Sequence, residues 1–306
     1  MWRRGNWQAA VLAVAVSLVV GVAARQSPGF HAEARLVVLH VTVTNGRGGL
    51  VANLDRGTFR VYEDGRPQPI ALFRGDDVPA SIGLVIDNSG SMRSRRVGVE
   101  AAALAFVHAS NPLDDVFVLN FADKPHIDVP FTNDVRALET GIARVDSIGG
   151  TAMRDAIVMA ESCLRDHASH DRRAMLVITD GHDNASHVSI SQLRRVVERT
   201  GTVIFAVSLV DESDAAAVRT GSDDLEQLAE LTGGGVDYVA SMHDIDSVVL
   251  DIAHRIRSQY TIAYTPANQA LDGSYRTVRV KVSRPGGLTV RTRPGYWASA
   301  VPSVIP

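Results

Sequence analysis

Five oxygen-bearing side chains stand where an apolar segment of the sequence gives way to a polar one. They are Asp87, Ser89, Ser91, Thr151 and Asp180. Apolar runs such as Ile82–Ile86 and Met175–Ile178 have the length of buried strands and end just before two of these positions. The exits of parallel strands meet at one edge of an open sheet, so the five side chains are expected to converge there. Two carboxylates and three hydroxyls form an all-oxygen set, which suits a hard divalent cation such as Mg²⁺.

A turn followed by a helix start is the alternative interpretation of Asp87-Asn88-Ser89-Gly90-Ser91. Short polar side chains in such a segment bond to free backbone N–H groups and need no metal. A cap of this kind does not require Thr151 or Thr179-Asp180-Gly181, and their presence in the same order favours the metal site.

The five residues, with Gly149-Gly150 before Thr151, resemble the metal-ion-dependent adhesion site of the von Willebrand factor type A family. The resemblance implies that Ser89, Ser91 and Thr151 bind the metal directly. It also implies that Asp87 and Asp180 bind directly or through water. The expected ion is Mg²⁺, with Mn²⁺ or Ca²⁺ as alternatives, and the expected further ligand is a Glu or Asp carboxylate of a partner protein.

Apolar runs and amphipathic runs alternate between residues 79 and 259. The predicted strands are Ile82–Ile86, Val116–Phe121, Ala174–Thr179, Val203–Val210 and Tyr238–Ala240. Helical spacing between them includes a stripe of Val97, Ala101, Leu104 and Ala105. Strands that alternate with helices predict an α/β fold with a doubly wound, mainly parallel sheet. The family resemblance implies the same Rossmann-like architecture.

The segments on either side of this region have the alternating pattern of half-buried strands. Val37–Val43 and Val278–Val282 show it most clearly, and Asp64-Gly65 is a strong hairpin signal. Each flank offers about three strands, too few to bury a good core alone. We therefore expect residues 32–78 and 260–298 to form one discontinuous β-sandwich, with a von Willebrand factor A-like domain, residues 79–259, inserted in it. The arrangement resembles the integrin hybrid domain with its inserted adhesion domain.

Two further segments resemble a bacterial, acidobacterial-type family related to von Willebrand factor type A proteins. They are Phe59–Gly65 and Arg293-Pro294-Gly295-Tyr296-Trp297. This second likeness extends over nearly the whole chain after the N-terminal segment, and it bears on architecture more than on function.

The N-terminal segment predicts export. Arg3 and Arg4 precede an apolar stretch from Ala9 to Ala24, which is the order of a secretory signal peptide, residues 1–24. An uncleaved membrane anchor is the alternative. Removal of two arginines changes the net charge from −3 to −5 (−3 − 2). A mildly acidic chain gives no electrostatic case for binding nucleic acid or a membrane surface. A periplasmic, cell-envelope or extracellular location is expected.

Several smaller features have structural interpretations. Cys163, the one cysteine, is expected to be a small buried apolar group, and Gly233-Gly234-Gly235 a helix C-cap with a turn. Arg93–Arg96 is expected on the solvated face of the first helix, and His182 and His187 in an exposed loop. Asp183 has a second interpretation, in which it lies near the metal without binding it directly, in contact with one of the bound ligands.

The sequence therefore predicts an exported, non-enzymatic binding or adhesion protein. It contains no Gly-x-x-x-x-Gly-Lys phosphate loop and no His-Glu-x-x-His, and Ser89 lacks the glycine of a nucleophile elbow. An assembly or chaperone-like module of a cell-envelope complex is the alternative function. A metal-assisted hydrolase is a third hypothesis.

Overall fold

The computed structural model describes residues 36–143, 148–181, 183–210, 215–284 and 286–299, with the backbone alone at 215–222. The predicted signal peptide, His182 and Val145 lie outside the described residues. The strands are β1 (Val37–Thr44), β2 (Phe59–Glu63), β3 (Arg66–Gln68), β4 (Ile70–Arg74), β5 (Ala80–Asp87), β6 (Asp115–Phe121), β7 (Pro125–Thr132), β8 (Arg172–Thr179), β9 (Val203–Leu209), β10 (Gly235–Val239), β11 (Tyr260–Tyr264), β12 (Tyr275–Val282), β13 (Thr289–Arg291) and β14 (Gly295–Trp297). The helices are α1 (Arg96–Ala109), α2 (Val135–Ile142), α3 (Met153–His167), α4 (Ile190–Val197), α5 (Ala215–Thr232) and α6 (Ile245–Arg257).

The central sheet has the strand order β10-β9-β8-β5-β6-β7. All its neighbours are parallel except β7, which runs antiparallel to β6. Every residue of β5 is buried, as expected for a strand covered on both faces. The register pairs Ile86 of β5 with Ile178 of β8, so the carboxyl ends of the two strands lie side by side. The sequence missed β7, where Pro125 and Pro130 obscure the strand pattern.

Helices cover both faces of this sheet. Apolar residues of α1, α2 and α6 share one core with the sheet, and those of α3, α4 and α5 share the other. The predicted stripe of α1 is wrong at Val97, which is exposed, while its Leu104 and Ala105 are half-buried against the core. The fully buried face of the helix carries Val99, Ala102 and Phe106. Both stripes have helical spacing, and the one with the bulky Phe106 is more deeply buried.

Two four-stranded sheets flank the central unit, and each combines strands from both ends of the chain. The first flanking sheet has the order β13-β1-β11-β4, and the second has the order β14-β12-β2-β3. Leu39, Phe59, Ile262 and Val280 belong to the apolar core that they share. Asp64 and Gly65 both have positive φ in the tight β2–β3 hairpin, as the sequence predicts. The predicted fold class, a doubly wound sheet inserted in a β-sandwich, is confirmed, while the limits given for the domains stay predictions.

A buried charged network joins the two flanks inside the sandwich. Glu63, from the N-terminal flank, accepts hydrogen bonds from the hydroxyls of Tyr264 (2.7 Å) and Tyr296 (2.8 Å). The guanidinium of Arg276 lies 3.5 Å from the same carboxylate, and both side chains are buried. Glu63 is thus satisfied by residues that lie more than 200 positions later in the chain.

Arg172, the first residue of β8, holds the junction between the central unit and the flanking sheets. Its guanidinium donates to the carbonyls of Val78 and Ile256, at the two crossings between them. It also donates to the Gln259 carbonyl and the Thr261 hydroxyl. One buried cation therefore ties both crossing segments to the sheet.

The Gly233-Gly234-Gly235 segment has a second role beside the predicted helix C-cap. Gly233 has φ +81°, as a cap glycine needs. A Cβ at Gly233 would lie 2.5 Å from the backbone of Thr292, and one at Gly234 would lie 1.8 Å from the Ile204 carbonyl oxygen. Gly233 lets the C-terminal flank approach the central unit closely, and Gly234 lets the chain lie against β9.

No helix in the described part of the chain is long and apolar enough to cross a membrane.

The substitution Glu63→Ala should destabilise the protein by about 3–5 kcal/mol, because the buried Arg276 loses its buried counter-charge and keeps only the half-exposed Asp272 carboxylate at 3.6 Å. Urea denaturation measures this loss. The matched control, Glu230→Ala, removes an exposed glutamate of α5 and should change stability by less than about 0.5 kcal/mol. Equal effects of the two substitutions would show that the flanks do not depend on this network.

Glu161 of α3 gives the protein a pH-dependent stability. Burial raises the pKa of its carboxyl to about 7, although Thr202 donates a hydrogen bond to it. The folded state therefore holds this proton while the unfolded chain releases it, and stability falls between about pH 4.5 and pH 7. Glu161→Gln should remove about 3 kcal/mol of this loss across that window. Denaturation midpoints of the wild type and of Glu161→Gln at pH 4.5 and pH 7.5 measure this difference. If both midpoints change equally with pH, Glu161 is not the group responsible.

Candidate metal centre

Asp87 ends β5 with a completely buried side chain. One carboxylate oxygen accepts the backbone N–H of Ser89 (2.8 Å), and the other accepts the hydroxyl of Thr179 (2.7 Å) at the end of β8. Burial raises the pKa of Asp87 to about 6 against these hydrogen bonds, and the charge of Asp180 raises it further. The ionised carboxylate is thus costly without a cation beside it, and a bound cation would favour it.

Ser89 and Ser91 present their hydroxyls together. The two Oγ atoms lie 3.0 Å apart. Neighbouring ligands of an octahedral Mg²⁺ ion, at about 2.0–2.1 Å from it, are separated by about 2.9 Å. The spacing of the hydroxyls therefore fits two adjacent positions around such an ion.

The loop that carries Thr151 is tied to the Ser89–Ser91 loop through its backbone. Gly90 donates to the carbonyl of Gly149 (3.0 Å), and Ile148 donates to the carbonyl of Asn88 (3.1 Å). Gly149 has φ +95°, and a Cβ there would lie 2.4 Å from the Asp123 carboxylate. A glycine at 149 is therefore required for this loop to lie against Asp123.

Asn184 fixes Thr151 from the other side. The side-chain carbonyl of Asn184 accepts the backbone N–H of Thr151 (2.8 Å). The backbone N–H of Asn184 donates to the Thr151 carbonyl (3.1 Å). Thr151 itself is buried, two residues before α3. Its position is thus set by the loop after β8 as well as by the loop after β5.

Asp180 lies one residue beyond β8, half-buried, and near enough for its charge to act on Asp87. The five predicted residues therefore occupy one edge of the central sheet. Direct contacts join Asp87, Ser89 and Ser91. Backbone hydrogen bonds of its loop hold Thr151 beside them, and Asp180 acts on Asp87 through its charge. Within the described ranges no group of three or more His, Cys, Asp or Glu side chains could hold a metal, and this set includes only two carboxylates.

Asp183 has a structural role at this edge. It accepts the backbone N–H of Arg154 (2.8 Å) and pairs with its guanidinium (3.0 Å). It also accepts the hydroxyl of Ser186 (2.7 Å). These contacts hold the loop after β8 on the start of α3.

The sequence interpretation missed two supports of the site. Thr179 precedes Asp180 and looks like a strand residue, yet its hydroxyl binds Asp87. Arg96 was expected on a solvated face, but it is half-buried and donates to the Asn88 side chain and the Ile142 carbonyl. The hydroxyl of Thr179, directly before Asp180, is the sequence feature that could have indicated its contact with Asp87. Nothing in the local sequence indicates the contacts of Arg96.

A family model described as von Willebrand factor type A domain matches residues 82–182, the segment that holds all five residues. Residues 82–182 are therefore similar to a von Willebrand factor type A domain. Among curated proteins none matches the chain significantly.

Solved structures resemble this domain at low sequence identity. A von Willebrand factor type A protein from Catenulispora acidiphila is 13% identical, with 85% of this chain and 73% of that chain covered and a TM-score of 0.51. BatB from Bacteroides thetaiotaomicron is 16% identical, with 59% of this chain and 100% of that chain covered and a TM-score of 0.48. The von Willebrand factor domain of the type V pili tip protein Mfa5 from Porphyromonas gingivalis is 12% identical, with 59% and 95% covered and a TM-score of 0.47. At these identities the likeness concerns the fold alone.

The substitution Thr179→Val keeps the shape of the side chain and removes the hydroxyl that donates a hydrogen bond to Asp87. In EDTA it should cost about 1–3 kcal/mol of stability, because a buried carboxylate loses a donor. Chemical denaturation measures the change. Thr289→Val, at an exposed position of β13, is the control and should be nearly neutral. A neutral Thr179→Val would mean that this contact does not hold Asp87.

Proposed function

We propose that the von Willebrand factor type A domain binds one divalent cation, Mg²⁺ with Mn²⁺ or Ca²⁺ as alternatives, and uses it to bind a partner protein. Ser89, Ser91 and Thr151 would supply hydroxyl ligands, with Asp87 and Asp180 as direct or water-mediated ligands. The observation that carries the proposal is the Ser89–Ser91 hydroxyl pair, 3.0 Å apart beside the buried Asp87.

The chemistry of the donors supports a hard cation. All five side chains offer oxygen, which Mg²⁺ prefers over nitrogen or sulfur ligands. Asp87 is a carboxylate without solvent contact, and a cation would supply the charge that its surroundings lack.

The proposed ligand of the ion is a Glu or Asp side chain from a protein partner. The directly bound ligands would be mostly neutral hydroxyls, so the ion would keep much of its charge and attract an external carboxylate. Mg²⁺ retains several exchangeable waters in protein sites, which leaves room for that carboxylate. The protein would then act as an exported, non-enzymatic adhesion or binding protein of the periplasm, envelope or cell exterior.

Isothermal titration with MgCl₂ should show one site in the wild-type protein and none in Asp87→Ala, because the buried charge that balances the ion is gone. The control Asp171→Ala removes an exposed acid at the opposite end of β8 and should bind like the wild type. Equal Mg²⁺ binding by wild type and Asp87→Ala would contradict the proposal.

The substitution Asp180→Ala should abolish partner binding and leave the metal-free fold nearly intact. A half-buried carboxylate adds little to the core, and its removal relieves repulsion with Asp87. Thermal melts in EDTA should agree within a few degrees for both proteins. Affinity capture from the native envelope fraction, with elution by EDTA, measures how much partner protein each variant binds. A large loss of metal-free stability would make Asp180 a structural residue.

A further inference from the structure

The outer face of the second flanking sheet collects positive charge in a chain whose net charge is −3. Side chains alternate along β12 and β2, and Val280 and Val61 belong to the sandwich core, so the residues next to them face outward. Three outward residues are exposed cations: Arg60, Arg279 and Lys281. All four strands of this sheet lie in the described ranges, and the other side chains that they turn outward are uncharged: Tyr62, Pro67, Tyr275, Thr277 and Trp297.

The register places two of these cations directly against each other. Lys281 of β12 lies opposite Arg60 of β2, and Arg279, two residues along, lies opposite Tyr62. Like charges in directly opposed positions destabilise a sheet. Lys281 lies over the ring of Tyr62 (5.3 Å), and Arg60 donates to two nearby backbone carbonyls. Within the described part of the chain none of the three cations pairs with a carboxylate, so a bound anion would relieve their repulsion.

The other end of the same face is aromatic. Tyr275 of β12 and Trp297 of β14 lie directly opposite each other, with ring centroids 5.3 Å apart. The ring of Tyr275 extends over Gly295, where a Cβ would lie 2.6 Å from it. The indole N–H of Trp297, which is 38% exposed, donates to the Glu198 carboxylate (2.9 Å). The two rings are therefore held in place, and that of Tyr275 lies along the sheet.

One strand connects the basic end to the aromatic end. Six residues of β12 lead from Tyr275 to Lys281, which is roughly 20 Å at about 3.4 Å each. Asp64 of the β2–β3 hairpin accepts the N–H and the hydroxyl of Thr277, and so lies roughly 14 Å, four residues, from Lys281. A small anion would contact the cations alone. A ligand that contacts both ends must be an extended chain.

Sugars that carry carboxylate groups match both ends of this face. A guanidinium binds a carboxylate through two parallel hydrogen bonds. The C–H face of a sugar ring is apolar and packs on an aromatic ring, as other apolar groups do. A membrane surface would instead favour aromatic rings that project from the protein, whereas Tyr275 lies along the sheet.

We propose that the outer face of the second flanking sheet binds an anionic polysaccharide whose sugars carry carboxylate groups. The carboxylates bind Arg60, Arg279 and Lys281, and a sugar ring further along the polysaccharide packs on Tyr275. Such binding needs no metal, so this face is a second interaction site, independent of the proposed metal centre.

The probe is an end-labelled oligogalacturonate, titrated with the full chain in EDTA so that no metal-bound carboxylate contributes. Saturable binding is expected, weakened by 0.5 M NaCl because salt screens exposed charges. The methyl ester of the same oligosaccharide keeps the sugar rings without the charges, and it should bind about tenfold more weakly. Polyglutamate of equal length keeps the charges without the sugar rings, and it should bind about threefold more weakly.

Variants locate the binding. The double substitution Arg279→Gln with Lys281→Gln should weaken binding about tenfold, from about threefold for each exposed charge. Tyr275→Leu should weaken it about threefold, while Tyr275→Phe keeps the ring and should bind like the wild type. Arg74→Gln, at an exposed position of β4 on the first flanking sheet, is the matched control and should not change it. Denaturation midpoints of the Gln variants should match the wild type, since exposed substitutions are nearly neutral.

Several outcomes would overturn the proposal. They are the absence of saturable binding, equal binding of the methyl ester, and unchanged binding by the double variant. Polyglutamate that binds as tightly as the oligogalacturonate would make the ligand an acidic polypeptide. Binding to phosphatidylglycerol vesicles without binding to the oligogalacturonate would make it a membrane.

The variant Asp87→Ala separates this proposal from the proposed function. It should bind the oligogalacturonate normally, and loss of binding there would place the sugar at the metal centre and overturn the proposal. Failure of Mg²⁺ to bind the wild type would refute the proposed function and leave the polysaccharide site unaffected.

Discussion

Asp87 lies at the end of a fully buried strand, and its carboxylate is out of reach of solvent. A buried carboxylate is stable only where donors or a cation compensate for its lost hydration. The Ser89 N–H and the Thr179 hydroxyl supply two donors, and β8 must lie beside β5 in the observed register to bring Thr179 there. The Ser89–Ser91 loop, the Thr151 loop and the loop after β8 are arranged around this one group.

At the other end of the sheet a buried positive charge is compensated in a different way. Arg172 is buried, and carbonyl oxygens from both crossing segments satisfy it. Inside the sandwich Glu63 is satisfied by Arg276 and two tyrosine hydroxyls, and Arg276 also donates to the carbonyls of Asn268 and Ala270. Each buried charge joins segments that are distant in sequence. Together they fix how an inserted α/β unit sits between two halves of a β-sandwich.

Much of this arrangement could be predicted from the sequence. The apolar runs that became β5, β8 and β9 were clear because parallel strands are apolar on both faces, and the five site residues follow from motif order. The strand β7 was not predicted, since its two prolines break the pattern. The stripe of α1 was misassigned because two helical stripes compete and only packing against the sheet decides between them. Long-range contacts such as Arg96 with Asn88, or Glu63 with Tyr264, depend on tertiary structure, and no local pattern encodes them.

The central claim is that the oxygen atoms around Asp87 hold a divalent cation. Anomalous diffraction from crystals soaked in MnCl₂ tests it most directly, since Mn²⁺ accepts the same oxygen ligands and scatters anomalously. The account predicts one strong peak in contact with the hydroxyls of Ser89 and Ser91, and no such peak in crystals of Asp87→Ala. A fully soaked crystal without a peak at those hydroxyls, or with its strongest peak elsewhere on the chain, would contradict it.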